Sequence, residues 1–320
     1  MVFEKLNEKY VEDAIKLAQD DYNREQKLVE ALYEKDYREI LTSSLSDMFK
    51  SKYGAVAVEN GKLLGYLGFW GGWDGHFGNV KGSFSPLFAN AFSGENRNKT
   101  CSLLFEKVSE EMTKEEICSF AICTYGHDTE IMTALTMNGF GIRCADAIRN
   151  VDKPLNIHIN NDYSYEELHY SEAGCLLPLK NSLVTHLRKS PTYFYNEEFT
   201  AESFVSLCNR RKSRFFVAKD KSEVIGYIEI MKDGETFITE DSDIVNICGT
   251  YLKEDYRGKN ILQSLLSFVL ITIKNHGVKR LGVDCETINP TALRFWGKYF
   301  DNYTYSYVRR IDERILRYQE

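Results

Sequence analysis

The alternation of hydrophobic and polar positions is most regular between Ile244 and Phe300. Residues 244–252 predict a strand, and apolar residues then recur with a helical period over 261–275, which predicts an amphipathic helix. A second strand is predicted at residues 281–285. A second helix is predicted to begin at Asn289-Pro290, where a cap residue precedes a proline at the first helical position.

A charged turn at residues 253–260 joins the first of these strands to its helix. A strand that enters a helix through a short loop with Gly and Asn directs several backbone N–H groups at one point, and the helix dipole adds positive potential there. Arg257 and Lys259 add formal positive charge. The turn therefore predicts an anion site suited to a pyrophosphate. It is not a Walker loop or a dinucleotide fingerprint, because neither motif occurs in the sequence.

Two segments in this region resemble the GNAT superfamily of N-acetyltransferases. The family signature [QR]-x-x-G-x-[GA] corresponds here to residues 257–262, which read Arg-Gly-Lys-Asn-Ile-Leu. Asn260 stands where glycine is usual, and asparagine tolerates the left-handed conformation well. Leu262 stands where a small residue normally lets the backbone approach the phosphates. Residues 289–300 resemble the family segment N-x-x-A-x-x-x-[YW]-x-x-x-[GF].

Elsewhere helices are predicted over residues 9 to about 32 and over 173–188, and the predicted elements repeat along the chain. Gly65–Phe69 is echoed by Gly226–Ile230, and Gly139-Phe140 is echoed by Tyr299-Phe300. Echoes at nearly one spacing indicate a tandem duplication. The glycine- and aromatic-rich segment 71–78 is predicted to be a long hairpin connection or, alternatively, a mobile loop that faces the substrate.

The duplication and the resemblance together predict the fold class. We expect an α/β (α+β) fold with two tandem GNAT-like domains, each a mixed, mostly antiparallel twisted sheet flanked by helices. Residues 1–151 are predicted to be a degenerate GNAT-like domain that lacks the motif, and residues 152–162 a polar linker. Residues 163–320 are predicted to be the acetyl-CoA-binding GNAT domain.

Composition narrows the function classes. The 320 residues suit two domains of average size, and the net charge of -7 argues against a general nucleic-acid binder. No apolar run approaches the ~18 residues of a membrane span, and no signal peptide precedes the first strand. The eight cysteines are scattered, without metal-ligand spacing. We therefore expect a cytoplasmic protein with free thiols, no metal, and no nucleic-acid or membrane partner; the oligomeric state stays open.

The resemblance implies how acetyl-CoA, the co-substrate, would bind. In the family it lies in a wedge where two parallel strands splay apart, and the strand before the turn pairs with the pantetheine amides. The pyrophosphate would bind the N–H groups of Arg257, Gly258 and residues 260–262. Asn289 would reach the pantetheine arm with its side chain. From the residue alone, a simple helix cap is an equally good interpretation. The full predicted cofactor-binding set is Thr250, Tyr251, Leu252, Arg257, Gly258, Lys259, Asn260, Ile261, Leu262, Asn289 and Trp296.

Acetyl transfer to an amine requires a neutral amine, a polarised carbonyl oxygen and protonation of the leaving thiolate. In the family the acid is often a tyrosine at the position that Trp296 holds here, so Tyr299 is a replacement candidate. The carboxylates nearest to the expected cleft are Glu229 and Asp243, and Glu286 ends the next strand. These are the candidate bases, and water-relayed deprotonation without a dedicated base stays open.

The sequence thus favours an acetyl-CoA-dependent N-acetyltransferase that transfers an acetyl group directly to a primary amine of a small molecule or peptide. The alternative is a non-catalytic acyl-CoA-binding or sensor protein, which Leu262 and Trp296 support. A third interpretation, an interaction module with two degenerate halves, conflicts with the intact turn at residues 256–259. The sequence does not identify the acceptor.

Overall fold

A computed structural model describes residues 1–75 and 78–318 of the chain. The chain divides into two compact units. Met1–Ala145 together with Asn302–Glu320 form the first unit, and Asp146–Asp301 form the second. It stays a prediction that residues 1–151 and 163–320 are two separate domains.

The first unit contains most of the elements of the N-terminal half. They are β1 (Val2–Lys5), α1 (Val11–Gln26), α2 (Arg38–Met48), β2 (Gly54–Glu59), β3 (Lys62–Gly68), β4 (Trp70–Trp73), β5 (Lys81–Ser85), β6 (Asn90–Phe92), α3 (Arg97–Thr113), β7 (Ile117–Tyr125), α4 (Thr129–Met137) and β8 (Gly141–Asn150), whose residues 146–150 belong to the second unit.

The elements after residue 150 belong to the second unit, except that most of the last strand lies in the first. They are β9 (Ser164–Glu167), α5 (Leu177–Arg188), α6 (Ala201–Arg211), β10 (Arg214–Asp220), β11 (Glu223–Met231), β12 (Ile244–Leu252), α7 (Ile261–Asn275), β13 (Arg280–Glu286), α8 (Pro290–Trp296) and β14 (Asp301–Arg310).

In the first unit, one extended segment changes partners along its length. β5 pairs in parallel with β7, and β6, only a few residues later, pairs antiparallel with β3. On its other side β7 pairs antiparallel with β14, with Thr304 opposite Tyr125. β4 and β5 form an antiparallel hairpin, and residues 76 and 77 of its predicted connection lie outside the described residues.

The sheet of the second unit follows the order β9-β10-β11-β12-β13, antiparallel except for β12 and β13. Helix α7 covers one face, where Leu266 and Val269 are fully buried, and each such side chain contributes roughly 1.5–3 kcal/mol of burial free energy. The other face packs against α5 and α6 through Leu179, Phe204 and Tyr227. The expected mixed, mostly antiparallel sheet flanked by helices is confirmed.

The predicted succession from residue 244 to the last helix is also confirmed, because β12, α7 and β13 begin and end within one residue of their predicted bounds and α8 begins at the predicted proline. Two helices, one near the start of each unit, differ from their predicted bounds. The helix predicted over residues 9–32 ends at Gln26. The one predicted over 173–188 becomes α-helical only at Leu177, beside Pro178, whose missing N–H costs nothing in a first turn. Among the described helices, none combines the length and apolar character that a bilayer crossing needs.

Candidate functional site

A gap between two parallel strands forms the framework of the site. β12 and β13 pair from Ile244 opposite Arg280 to Ile247 opposite Val283, and then both strands continue without pairing to each other. The register of β12 against β11 shifts at the same place, which makes Cys248 a bulge residue. A bulge bends its strand and increases the twist. The two strands therefore part at Cys248, as the wedge in the resemblance implies.

The backbone conformation of the turn after β12 explains why glycine and asparagine occur in it. Gly258 and Asn260 adopt positive φ angles of 77° and 57°, a region that glycine enters freely and asparagine tolerates best among the other residues. The Nε of Arg257 donates to the carbonyl of Leu252 at 3.2 Å, which ties the turn to the end of the strand. The departure from glycine at position 260 is thus compatible with the turn.

The turn presents unsatisfied donors at the start of α7. Asn260 caps α7 without a side-chain hydrogen bond, so the first N–H groups of the helix, at residues 261–263, have no capping partner. The Arg257 guanidinium lies beside them, 5.6 Å from the Tyr251 ring and 3.9 Å from the exposed Glu254 carboxylate. The backbone N–H of Arg257 donates to the Glu254 carbonyl, so Arg257 offers its guanidinium rather than its amide.

A cavity of about 400 Å³ runs from this turn into the gap beside β12. Every predicted cofactor-binding residue lines it except Lys259 and Asn260. The lining residues are Leu183, His186, Thr250, Tyr251, Leu252, Arg257, Gly258, Ile261, Leu262, Gln263, Asn289, Thr291, Ala292, Arg294, Phe295, Trp296 and Lys298. The combination of apolar walls, free amides and cationic side chains suits a long ligand with an anionic group at the turn.

Asn289 caps a helix, as one of its two interpretations predicts, and its contact with a pantetheine arm stays a prediction. Its side chain accepts a hydrogen bond from the Ala292 N–H at 3.3 Å, which caps α8, and the residue also lines the cavity. It further hydrogen-bonds to the ring of His186 on α5, a half-buried residue that sequence reasoning missed. Burial and the nearby charge of Arg257 lower the pKa of His186, and the bond to Asn289 opposes them. His186 is therefore predominantly neutral at pH 7.

Glu229, a candidate base, is fully buried in an ion pair away from the cavity lining. Its carboxylate lies 2.8 Å from the Lys180 ammonium and 2.7 Å from the Ser213 hydroxyl, with Arg211 at 4.0 Å. Burial raises its pKa, but the charge and hydrogen bond of Lys180, with Ser213 and Arg211, outweigh burial, and the pKa lies below its ordinary value. A carboxylate held in this way is a weak base. Its role as a catalytic base stays a prediction that the geometry does not favour.

Asp243 and Tyr299 likewise lie outside the cavity lining. The Asp243 carboxylate is 2.5 Å from a guanidinium nitrogen of Arg280, at the opposite end of β12 from the turn. The Tyr299 ring packs edge-on against Phe295 at 5.3 Å, and its carbonyl accepts from Arg149. The structure gives both residues structural partners, so their catalytic roles stay predictions without geometric support.

Asp284 is the carboxylate that sequence reasoning missed. It directly follows Val283, the last residue of β13 that pairs with β12; its side chain is exposed to solvent and, like the three predicted residues above, it does not line the cavity. Desolvation by the surrounding protein, together with repulsion from Glu235 and Asp146, raises its pKa to about 7. The alternation of side chains along a strand could have identified Asp284. Val283 and the other apolar residues of β13 at alternate positions face α7, so the intervening Asp284 must face the other side of the sheet.

Comparisons with known proteins agree with this geometry. Residues 181–301 match the model of the Acetyltransferase (GNAT) family, which confirms the resemblance in that part of the chain. A solved GCN5-related N-acetyltransferase from Sphaerobacter thermophilus is 11% identical with a TM-score of 0.61, and the alignment covers 97% of this chain and 95% of that one. A tandem GNAT protein from the clavulanic acid biosynthesis pathway is 13% identical with a TM-score of 0.50, over 97% of both chains. These structural likenesses show a tandem GNAT fold. No curated protein matches the sequence.

Proposed function

We propose that the second half of this chain, which contains the GNAT-family segment, is an acetyl-CoA-dependent N-acetyltransferase. The observation that carries the proposal is one cavity that joins the N–H groups at the start of α7 to the end of β12 that does not pair with β13. A pyrophosphate-bearing thioester has its anionic group and its acyl group at opposite ends of a long arm. The cavity offers donors at one end and an exposed strand edge at the other.

The residues divide the binding between them. The guanidinium of Arg257 and the amides of residues 261–263 would hold the pyrophosphate. Thr250, Tyr251 and Leu252 pair with β11 on one side, and their other backbone edge, which does not pair with β13, would pair with the amides of the pantetheine arm, as an added strand pairs with a sheet edge. The thioester would then lie near the bulge at Cys248, where the sheet is open.

The proposed acceptor is a primary amine of a small molecule or peptide. Its uncharged nitrogen attacks the thioester carbonyl carbon, the carbon–sulfur bond breaks, and the amine loses one proton while the departing thiolate gains one. Asp284 is our candidate for the proton acceptor, because it follows the last residue of β13 that pairs with β12, where the two strands part, and its pKa is raised to about 7. Asp146, Glu235 and Glu286 add negative potential around it, which favours a cationic amine.

A non-catalytic acyl-CoA-binding protein is the second candidate. Trp296 favours it, because an indole cannot serve as the proton donor that a tyrosine at this position would supply. The ion pair of Glu229 also makes this carboxylate a weaker base. Both candidates share the cofactor cavity and differ only in turnover.

Calorimetric titration with acetyl-CoA, followed by free-thiol release with a panel of amines, tests the proposal. We expect saturable binding, thiol release with at least one cationic amine, and a loss of release in Asp284→Asn with binding retained. Binding without release from any amine would favour the second candidate. Absence of binding would overturn both.

A further inference from the structure

The segment predicted to be a simple linker, residues 152–162, makes specific hydrogen bonds to the turn of the cofactor site. The Asn160 side-chain amide donates to the carbonyl of Lys259 at 2.9 Å, and its backbone N–H donates to the Ser264 hydroxyl at 2.9 Å. Asn160 is itself held, because its carbonyl accepts from the Tyr165 hydroxyl at 2.8 Å and its Oδ1 accepts from the Asp162 N–H at 3.0 Å. A flexible tether would not make four such bonds at one residue.

Ser264 extends this network to the next carbonyl of the turn. Its hydroxyl, which accepts from Asn160, donates to the carbonyl of Asn260 at 2.8 Å, and the residue is only 1% exposed. The carbonyls of Lys259 and Asn260 are therefore both fixed, one on each side of the left-handed residue. Neither Lys259 nor Asn260 lines the cavity, so these bonds lie behind the turn as seen from the cavity.

The geometry of the peptide bond transmits this restraint to the ligand side. In a trans peptide the C=O and the following N–H point in opposite directions within one plane. Fixing the Lys259 carbonyl therefore directs the Asn260 N–H, and fixing the Asn260 carbonyl directs the N–H of Ile261. Ile261 lines the cavity at the N-terminus of α7. The network thus orients the amides that face an anion.

We propose that Asn160 is a positioning residue of the cofactor site, which orients the turn for the pyrophosphate of an acyl-CoA through the carbonyls of Lys259 and Asn260. The proposal rests on the proposed function, because it assigns the anion at this turn. It makes the segment between the two predicted domains a part of the binding site. It also gives a reason why asparagine at position 260 can replace glycine, since its left-handed conformation is held from both sides.

The test compares Asn160→Ala with Asn161→Ala in the full chain, using two ligands. Asn161 is the neighbouring exposed residue and makes none of these bonds, so it is the matched control. Acetyl-CoA carries the pyrophosphate, whereas S-acetylpantetheine lacks it. For a hydrogen bond of ordinary strength we expect Asn160→Ala to weaken acetyl-CoA binding by about five- to tenfold. S-acetylpantetheine binding, measured by displacement, is expected to stay unchanged, and Asn161→Ala is expected to match the parent with both ligands.

Ser264→Ala provides a second variant that leaves the linker intact. It removes the hydroxyl that joins the Asn160 N–H to the Asn260 carbonyl, while the backbone N–H of residue 264 still donates to that carbonyl, and we expect the same selective loss of acetyl-CoA affinity. Thermal unfolding of each variant establishes that it is folded. Equal acetyl-CoA affinity in Asn160→Ala and the parent would overturn the proposal, as would an equal loss for both ligands, which indicates a structural role. A parent protein that binds no acetyl-CoA would overturn the proposed function as well.

Discussion

Each unit contains a strand followed by a turn and a helix, with an arginine five residues after the end of the strand, but the surroundings of that arginine differ. In the first unit the Nε of Arg97 donates to the carbonyl of Phe92 at 2.9 Å, and in the second the Nε of Arg257 donates to that of Leu252 at 3.2 Å. Each carbonyl belongs to the last residue of a strand, five positions before its arginine. The shared bond supports a common origin for the two turns.

In the first unit, carboxylates of the protein itself lie against the arginine of the turn. Arg97 forms an ion pair with Asp128 and lies 3.6 Å from Glu130. The Glu130 carboxylate also accepts from the N–H of Asn98 at 3.3 Å, in the first turn of α3, where the second unit has free amides. Counted from the helix caps, Thr291 in α8 corresponds to Glu130, and it lines the cavity.

The gap between strands is also bridged in the first unit. The pairing partner changes from β7 to β3 between β5 and β6. At this point the Asn90 side chain donates to the Cys123 carbonyl at 3.0 Å and to the Ser85 hydroxyl at 3.2 Å. In the second unit a cavity runs beside the corresponding strand. A similar backbone therefore carries a cavity in the second unit and is closed by a few side chains in the first.

The largest expected effect comes from reversing the charge of the functional turn. Arg257→Glu combined with Gly258→Asp places two carboxylates where the pyrophosphate would bind. We expect acetyl-CoA affinity to fall by about tenfold or more, equivalent to about 1.4 kcal/mol or more. Calorimetry measures the affinity, and circular dichroism verifies the fold. Unchanged affinity in the folded double variant would contradict the assignment of this turn.

The next prediction converts the second unit towards the first. Thr291→Glu introduces a carboxylate at the helix position that Glu130 occupies in the first unit. Repulsion of about 1 kcal/mol at a partly solvated site should weaken acetyl-CoA binding about fivefold. Thr291→Gln is the matched control, because it adds similar volume without charge. Equal losses in both variants would show that the effect is steric.

The pH dependence of turnover tests Asp284. A base with a pKa of about 7 is active when ionised, so the rate should rise as pH increases through about 7, and Asp284→Asn should lose this rise. The folded pKa lies above that of an unfolded aspartate, so the folded state binds the proton more tightly. The stability of the parent should therefore fall as pH rises from about 4 to 7. Thermal unfolding at pH 8 should then show Asp284→Asn to be the more stable protein, and a lower stability would contradict the raised pKa.

The smallest effect is expected from neutralising the Glu130 carboxylate of the first unit. Glu130→Gln leaves Arg97 paired with Asp128, so we expect no second acetyl-CoA site to appear. The stability change should be about 0–1 kcal/mol, because the Glu130 side chain is 37% exposed. Denaturant unfolding and a binding titration measure both quantities. A newly formed second site would show that Glu130 alone closes the first unit.

The fold and most residues that line the cavity could be predicted where the signals are local. The bounds of β12, α7 and β13 follow from hydrophobic period and from one turn with Gly258 and Asn260. The catalytic assignments gain no geometric support, because the contacts that decide them are distant in sequence. The Lys180 that pairs with Glu229 lies 49 positions away, and no periodic pattern joins them. The pairing of β14 with β7, across most of the chain, is equally invisible to local patterns.

The number of acetyl-CoA molecules bound per chain tests the contrast between the two units most directly. Calorimetric titration of the parent should give one site per chain, and the Arg257→Glu, Gly258→Asp variant should lose it while remaining folded. Two sites, or one site that survives the double variant, would contradict the account, because the anion turn of the first unit would then be open.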